Sequence, residues 1–335
     1  MRGNAEKGNS KPGLMAAVVF NLLNIIMFPV SLLGYVIWIG QGVLAKNSSG
    51  VSSTAQGPLS ARYTQHNLGV RQDEASARLM EVLPGVPRIA KILTAGPFFL
   101  AHRLTGYVPK AFRYPFEGEI PPQFEASARV TFFDEIVDRC LTDIKQFVIL
   151  GAGFDTRAYR LPEARQVRAF EVDAPNTQAL KREMLRKANI DTSGVTFVAA
   201  DFETQDWLSR LIDAGFDIGQ PALFLWEGVI IYLDREAVET TLRKIASTSP
   251  GSVLAFDYFT NEPLQSKSLY WRYGRAMTKA AGEPLKFGID SMPPCSERLA
   301  ELLQSCGLSL GENRVLGSEA NGSRAWGGFA TAVVN

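Results

Sequence analysis

From Gln146 to the C-terminus the chain alternates short apolar runs with stretches of helical periodicity. No other feature constrains the fold as much. Phe147–Leu150, Val167–Val172, Val195–Ala199, Ala222–Trp226 and Ser252–Phe256 read as five strands. Between them, Pro175–Asn189 reads as a helix, with proline at its start and Leu180, Met184, Leu185 and Ala188 on one face. Trp207, Leu208, Leu211 and Ile212 mark a second helix, stopped by Gly215, and Val238, Leu242 and Ile245 a third. Alternation on this scale predicts an α/β fold, a doubly wound parallel sheet with helices on both faces. After the fifth strand comes an aromatic and basic insertion, residues 259–294, placed where it can cover a site at the strand ends. A helix over Ser296–Cys306 and two strands, near Ser309–Leu316 and Trp326–Val334, close the chain.

The N-terminal part is organised differently. Residues 1–13 read as a polar tail. Residues 14–44 contain no charged residue and no histidine. That exceeds the roughly 20 residues a helix needs to cross a bilayer core, and a buried soluble helix is seldom apolar on every face for so long. The segment is expected to be a membrane anchor, with Tyr35 and Trp38 suited to an interface. Pro29, in its middle, is expected to kink or split the helix. Arg2, Lys7 and Lys11 before it, against Lys46 and Arg62 after it, lean toward a cytosolic N-terminus. A single pass then puts the main domain on the far side, whereas a hairpin keeps it facing the cytosol, the arrangement expected here. Residues 45–60, rich in Ser and Gly, read as a linker. Residues 61–145 read as a helical cap region punctuated by prolines, and 146–335 as the main domain.

Composition narrows the function classes. Lysine plus arginine (35) nearly balance aspartate plus glutamate (34), so no nucleic-acid surface is implied. Three cysteines without a Cys-x-x-Cys pair argue against a disulfide framework. Two histidines, His66 and His102, both far upstream, make a metal site or a Ser-His-Asp triad a poor expectation.

Three turns carry the chemistry, each directly after a strand. Gly151-Ala152-Gly153-Phe154-Asp155-Thr156-Arg157 follows the first strand, and glycines there let a nucleotide-like ligand approach the backbone. The third glycine of a dinucleotide fingerprint is replaced by Thr156, which weakens a pyrophosphate reading. Asp173 ends the second strand, where an acid can accept from both ribose hydroxyls, with Glu171 as its rival and helix capping as its plainer role. Asp201 follows the third strand and can accept from an adenine amino group while Phe202 packs on the ring; it can equally cap the next helix.

Phe147–Arg157, Phe170–Pro175 and Leu225-Trp226-Glu227-Gly228-Val229-Ile230-Ile231-Tyr232-Leu233 together resemble the leucine carboxyl methyltransferase family, in particular its bacterial-type branch of S-adenosylmethionine-dependent enzymes. The resemblance covers roughly Ala126–Tyr258. It implies a class I, Rossmann-like methyltransferase fold whose last strand pair is the closing antiparallel hairpin. It implies S-adenosyl-L-methionine as cofactor. Arg129 then matches the arginine that holds the methionine carboxylate, a task suited to a guanidinium fork. Gly151, Gly153 and Asp155 fall in the cofactor loop, Asp173 on the ribose, Asp201 and Phe202 at the adenine, and Glu227 at the amino-acid end. The N-terminal apolar segment is foreign to the soluble family core, and the Trp226-Glu227-Gly228 form departs from the protein-phosphatase methyltransferases, so their substrate is not carried over.

These features favour O-methylation of a small or lipid-like acceptor, with the cofactor supplying the difficult chemistry and the protein alignment. A carboxylate acceptor needs no general base; an alcohol benefits from one, and Tyr232 is a weak candidate. Two alternatives stay open: an NAD-dependent oxidoreductase on a related sheet, and a non-catalytic membrane protein that retains a methyltransferase shell.

Overall fold

The computed structural model describes residues 13–49, 55–113, 120–280 and 282–335. Among the described residues, five α-helices come first: α1 (Leu14–Ser49), α2 (Gln56–Asn67), α3 (Glu74–Glu81), α4 (Arg88–Thr105) and α5 (Glu125–Cys140). The alternating part follows as β1 (Gln146–Leu150), β2 (Arg168–Asp173), α6 (Pro175–Lys187), β3 (Val195–Ala199), α7 (Trp207–Asp213), β4 (Ala222–Trp226), α8 (Arg235–Ala246) and β5 (Val253–Phe259). It ends with α9 (Asn261–Gln265), α10 (Leu269–Ala280), α11 (Cys295–Ser305), β6 (Leu308–Leu316) and β7 (Gly327–Val334).

The seven strands form one sheet in the order β3-β2-β1-β4-β5-β7-β6, parallel except that β7 runs antiparallel to both β5 and β6. This is a Rossmann-like methyltransferase fold with the closing hairpin. Both faces are covered. On one, Val148, Phe170, Phe224 and Leu254 pack against Leu211 of α7, Leu242 and Ile245 of α8 and Leu303 of α11. On the other, Phe147, Ile149, Leu223 and Leu225 meet Phe133, Ile136 and Val137 of α5. Every residue of β1 and β4 is buried, as a parallel sheet covered on both faces requires. Strand order reverses between β1 and β4, and ligands of open α/β sheets bind at the carboxyl ends beside that reversal.

Local chemistry sets the helix ends. Asp73 accepts from the Ser76 N–H at the start of α3, and Asp206 from Ser209 N–H at the start of α7. Pro175 opens α6, and Gly106 closes α4 in the left-handed region at φ 65°.

Three expectations are corrected. The helix through Pro29 is neither split nor doubled back: α1 runs unbroken from Leu14 to Ser49. Both sides of the proline are held against one partner, Phe20 against Phe98 and Gly34 against Leu93 and Thr94 of α4. The stretch 45–60 is mostly helical, because α1 continues to Ser49 and α2 starts at Gln56; extending an existing helix is cheap. Residues 50–54 within it, and the tail 1–13 apart from Gly13, lie outside the described residues. Arg62, weighed above as a charge flanking a membrane segment, is buried inside the domain.

Candidate cofactor site

A cavity of about 350 Å³ opens at the carboxyl ends of β1, β2, β3 and β4. Arg129, Gly151, Gly153, Asp155, Asp173, Asp201, Phe202, Glu227 and Tyr232 all line it, so residues far apart in sequence converge on one space. The first turn shapes the floor. Gly151 (φ 67°) and Gly153 (φ 40°) adopt positive angles, and a Cβ on Gly151 would run into Val229. The Gly153 N–H donates to Asp173 Oδ2 at 2.6 Å, and the Ala174 N–H to Asp173 Oδ1 at 2.7 Å. Burial pushes the Asp173 carboxyl above its usual value, against the pull of these two donors.

The plainer roles separate here. Glu171, the rival for a ribose, is not among the residues lining the cavity; Lys181 Nζ lies 2.8 Å from it and the Tyr159 hydroxyl donates to it at 2.8 Å. Asp201 does not cap α7, a task Asp206 performs; its Oδ1 accepts instead from Glu203 N–H at 2.9 Å. Thr156 is fully buried and donates to Asp73 Oδ2 at 2.7 Å, and only a four-residue 3-10 helix, Arg157–Arg160, follows. The first turn therefore offers no α-helix N-terminus to a pyrophosphate.

Beneath the cavity lies a buried charge network. Arg62 Nη2 is 2.9 Å from both Asp155 Oδ2 and Glu227 Oε2. Arg157 pairs with Asp155, with Glu227 at 2.6 Å and with Asp134 at 2.7 Å. Arg129 meets Asp257 at 3.0 Å and Glu125 at 3.1 Å. Burial raises the Asp155 and Glu227 carboxyls, but the arginines outweigh it and hold both below the usual range. Burial lowers Arg129, but Glu125, Asp257 and Glu227 raise it further, so it stays charged. Glu125 is the exception: burial carries its carboxyl up to about 7 despite Arg129.

Among the described residues, two facing atoms of this network have no hydrogen-bond partner. Arg129 Nε and Glu227 Oε1 are buried, 3.5 Å apart, and both residues border the cavity. A donor beside an acceptor suits the carboxylate and ammonium of an amino acid. The residues present therefore fit the chemistry of an S-adenosylmethionine-type ligand. Asp155 is spent on Arg62, Arg157 and the Arg157 N–H, which makes it a brace of the floor as well as a lining residue.

Comparison with known proteins shows the family. The family model described as leucine carboxyl methyltransferase matches residues 119–246. A Parafrankia protein provisionally named an S-adenosyl-L-methionine-dependent methyltransferase is 36% identical over 133 residues, 39% of this chain and 43% of its own length. A Bacillus subtilis protein with the same provisional name is 31% identical over 220 residues, 64% of this chain and 70% of its own. The chain belongs to the leucine carboxyl methyltransferase family. It spans about half the length of the Parafrankia relative and of a Mycolicibacterium smegmatis relative that is 35% identical over 163 residues. Among solved structures, the magnesium protoporphyrin IX methyltransferase of Synechocystis, with bound SAH, is 12% identical, covering 65% of this chain and 90% of that one at a TM-score of 0.40, a likeness too loose to bear on the site.

Within this family member, several residues of the site have no sequence signal. Arg62 sits on α2, 93 and 165 residues from its partners. Asp257 accepts from Gly228 N–H at 2.6 Å and fixes Arg129, yet it reads as a polar interruption at the end of an apolar run. The insertion 259–294 covers the cavity only in part. Gly282, Glu283, Pro284 and Lys286 line it, whereas α10 contributes no lining residue, and its Trp271 packs on Phe259 and Trp326.

Proposed function

We propose that this chain is an S-adenosylmethionine-dependent methyltransferase that methylates an oxygen, carboxylate or hydroxyl, of a small or lipid-like acceptor. The observation that carries this is the convergence of Asp173, Asp201 and Glu227, each at or just beyond the end of its own strand, on one cavity with Arg129. When bound, the cofactor supplies an electrophilic methyl group on a sulfonium. The chain's own task is placement. Arg129 and Glu227 fix the amino-acid end, Asp173 the ribose, and the rigid charged floor keeps these groups from reorganising. Tyr232 lines the same cavity and is the nearest candidate for accepting or relaying an acceptor proton; a carboxylate acceptor needs none. The buried Thr156 and the missing helix N-terminus after β1 count against a nicotinamide dinucleotide.

The same reading includes a membrane. Leu14–Trp38 is long and apolar enough to cross one by length and composition. A soluble core helix passes that test too, but it would be mostly buried, and here only 6% of the apolar window is. An anchored enzyme suits an apolar acceptor.

Isothermal titration with S-adenosylhomocysteine, beside Asp173→Ala, tests the cofactor site. Saturable binding by wild type, weakened at least about tenfold in the variant, is expected from the loss of charge-assisted hydrogen bonds. No binding by folded wild type overturns the reading. Transfer to amines alone, in a panel of carboxylates, alcohols and amines, overturns O-methylation.

A further inference from the structure

α1 and α4 lie outside the α/β layers as an antiparallel pair. Near the start of α1, Phe20 meets the rings of Phe98 and Tyr107 at centroid distances of 5.4 and 5.1 Å. Nearer its end, Gly34 approaches Thr94 so closely that a Cβ would sit 2.5 Å from the Thr94 nitrogen. α4 is in turn tied to the domain at points between Lys91 and Phe99. Lys91 Nζ donates to the Met80 and Glu81 carbonyls at 2.6 and 2.7 Å. Phe99 meets Tyr63 of α2, and Phe98 meets Phe112 in the one-turn helix Lys110–Phe112, which packs against α5.

This arrangement bears on how α1 meets a bilayer. Its apolar stretch of 25 residues is about 37 Å long at 1.5 Å per residue. A helix that crosses perpendicularly must leave its domain behind. Here α4 and the residues just after it accompany α1 back to Phe20, close to its first residue. Upright insertion would drag the exposed Arg103 and Lys110, and the turn attached to α5, into hydrocarbon, where charges are costly. Lying flat requires none of this. The outward surface suits it: Leu22, Ile25 and Ile26 of α1 are bare, as are Ile92, Leu100 and Leu104 of α4. Charge is one-sided as well. Between Val82 and Phe116 the sequence has no Asp or Glu but five Lys or Arg, of which Arg88, Arg103 and Lys110 are exposed.

We infer that α1 and α4 form a two-helix platform seated in the plane of one leaflet of an anionic phospholipid bilayer, and that α1 does not cross it. This rests on the membrane reading above and replaces both its single pass and its hairpin. It keeps both ends of α1 and the cofactor cavity on the same side. α2, which follows α1, supplies Pro58 and Arg62 to the cavity wall, so the platform adjoins the site.

The test uses the full chain with preformed, sealed vesicles. Flotation with phosphatidylglycerol-containing vesicles is expected, and Leu104→Glu, at a side chain 65% exposed, should weaken it at least tenfold with S-adenosylhomocysteine binding unchanged. Undiminished flotation of Leu104→Glu removes α4 from the platform and overturns the inference. In a Cys140→Ser background, Gly13→Cys and Gln304→Cys should react equally with an impermeant maleimide added outside. Gly13→Cys that reacts only after detergent means a crossing helix and overturns the in-plane placement while sparing the membrane reading. Absence of flotation on every vesicle defeats the membrane reading itself, and a dimer by light scattering in that case names a second copy as the cover. None of these outcomes touches the cofactor assay.

Discussion

The floor of the cofactor cavity and the outer face of α1 invert the usual arrangement in opposite ways. The floor buries charge: Arg62, Arg157 and Asp257 are each at most 2% exposed. The outer face bares hydrocarbon: Leu14, Ile25 and Ile26 are 83%, 71% and 65% exposed. Buried charge is tolerated when it is paired and hydrogen-bonded, so the floor carries its compensation within the chain. Bare hydrocarbon has no compensation inside the chain and points to something outside it. The two regions should therefore respond in opposite ways to substitution. The floor should fail when one partner is removed, whereas α1 should hardly notice.

The largest effect is expected at Arg157, which holds Asp134, Asp155 and Glu227 together and donates to the Val130 carbonyl at 3.1 Å. Arg157→Met leaves three carboxylates short of a cation, a change that costs about 3–5 kcal/mol when a buried pair is broken. Urea unfolding measures it. A loss below about 1 kcal/mol would place the floor in the class of surface ion pairs and erase the contrast.

A smaller effect, and one tied to pH, is expected at Glu125. Its folded value is raised to about 7 by burial, against the attraction of Arg129. The folded state thus holds this proton more tightly than the unfolded chain does. The resulting stability is complete below the ordinary carboxylate value and is lost as pH rises through about 7. At about 1.4 kcal/mol per pKa unit, the swing is on the order of 3 kcal/mol. Asp173 and Asp257 are also raised by burial and slope the same way, so the measurement is a difference. Glu125→Gln should flatten the decline between roughly pH 4.5 and 7. Parallel stability curves for variant and wild type would show that this carboxyl is not strained.

How far the sequence discloses each region follows from the range of its contacts. β3 and β4 fall where the apolar runs predict them, because turns bound those runs directly. β5 extends three residues past its expected end, through Asp257, Tyr258 and Phe259. An acid inside a strand reads as a terminator until Arg129 and the Gly228 N–H are seen to satisfy it. Asp173, Asp201 and Glu227 are legible because each stands at or just after the end of its own strand. Arg62 and Arg157 are not, since their roles arise from partners brought together only by the fold. The resemblance favours Asp173 over Glu171; that Glu171 is engaged by Lys181 and Tyr159 is visible only in the fold. The apolar run of α1 is plain in the sequence, but its antiparallel course along α4 is not. Gly34 and Phe20 mark that contact, and neither stands out from its neighbours.

The smallest effect on stability is expected on α1. The combined Ile25→Ser and Ile26→Ser change removes two β-branched side chains that touch little else in the protein, so it should alter urea stability by no more than about 0.5 kcal/mol per site. The same change should reduce self-association in detergent-free buffer and weaken flotation on anionic vesicles, because only those processes cover the bare face. Sedimentation velocity beside urea unfolding separates the two readouts. A stability loss of about 2 kcal/mol or more, the size seen when a buried aliphatic is truncated, would mean that the face is covered by the chain itself. The contrast with the cavity floor would then vanish, since both regions would be ordinary interior.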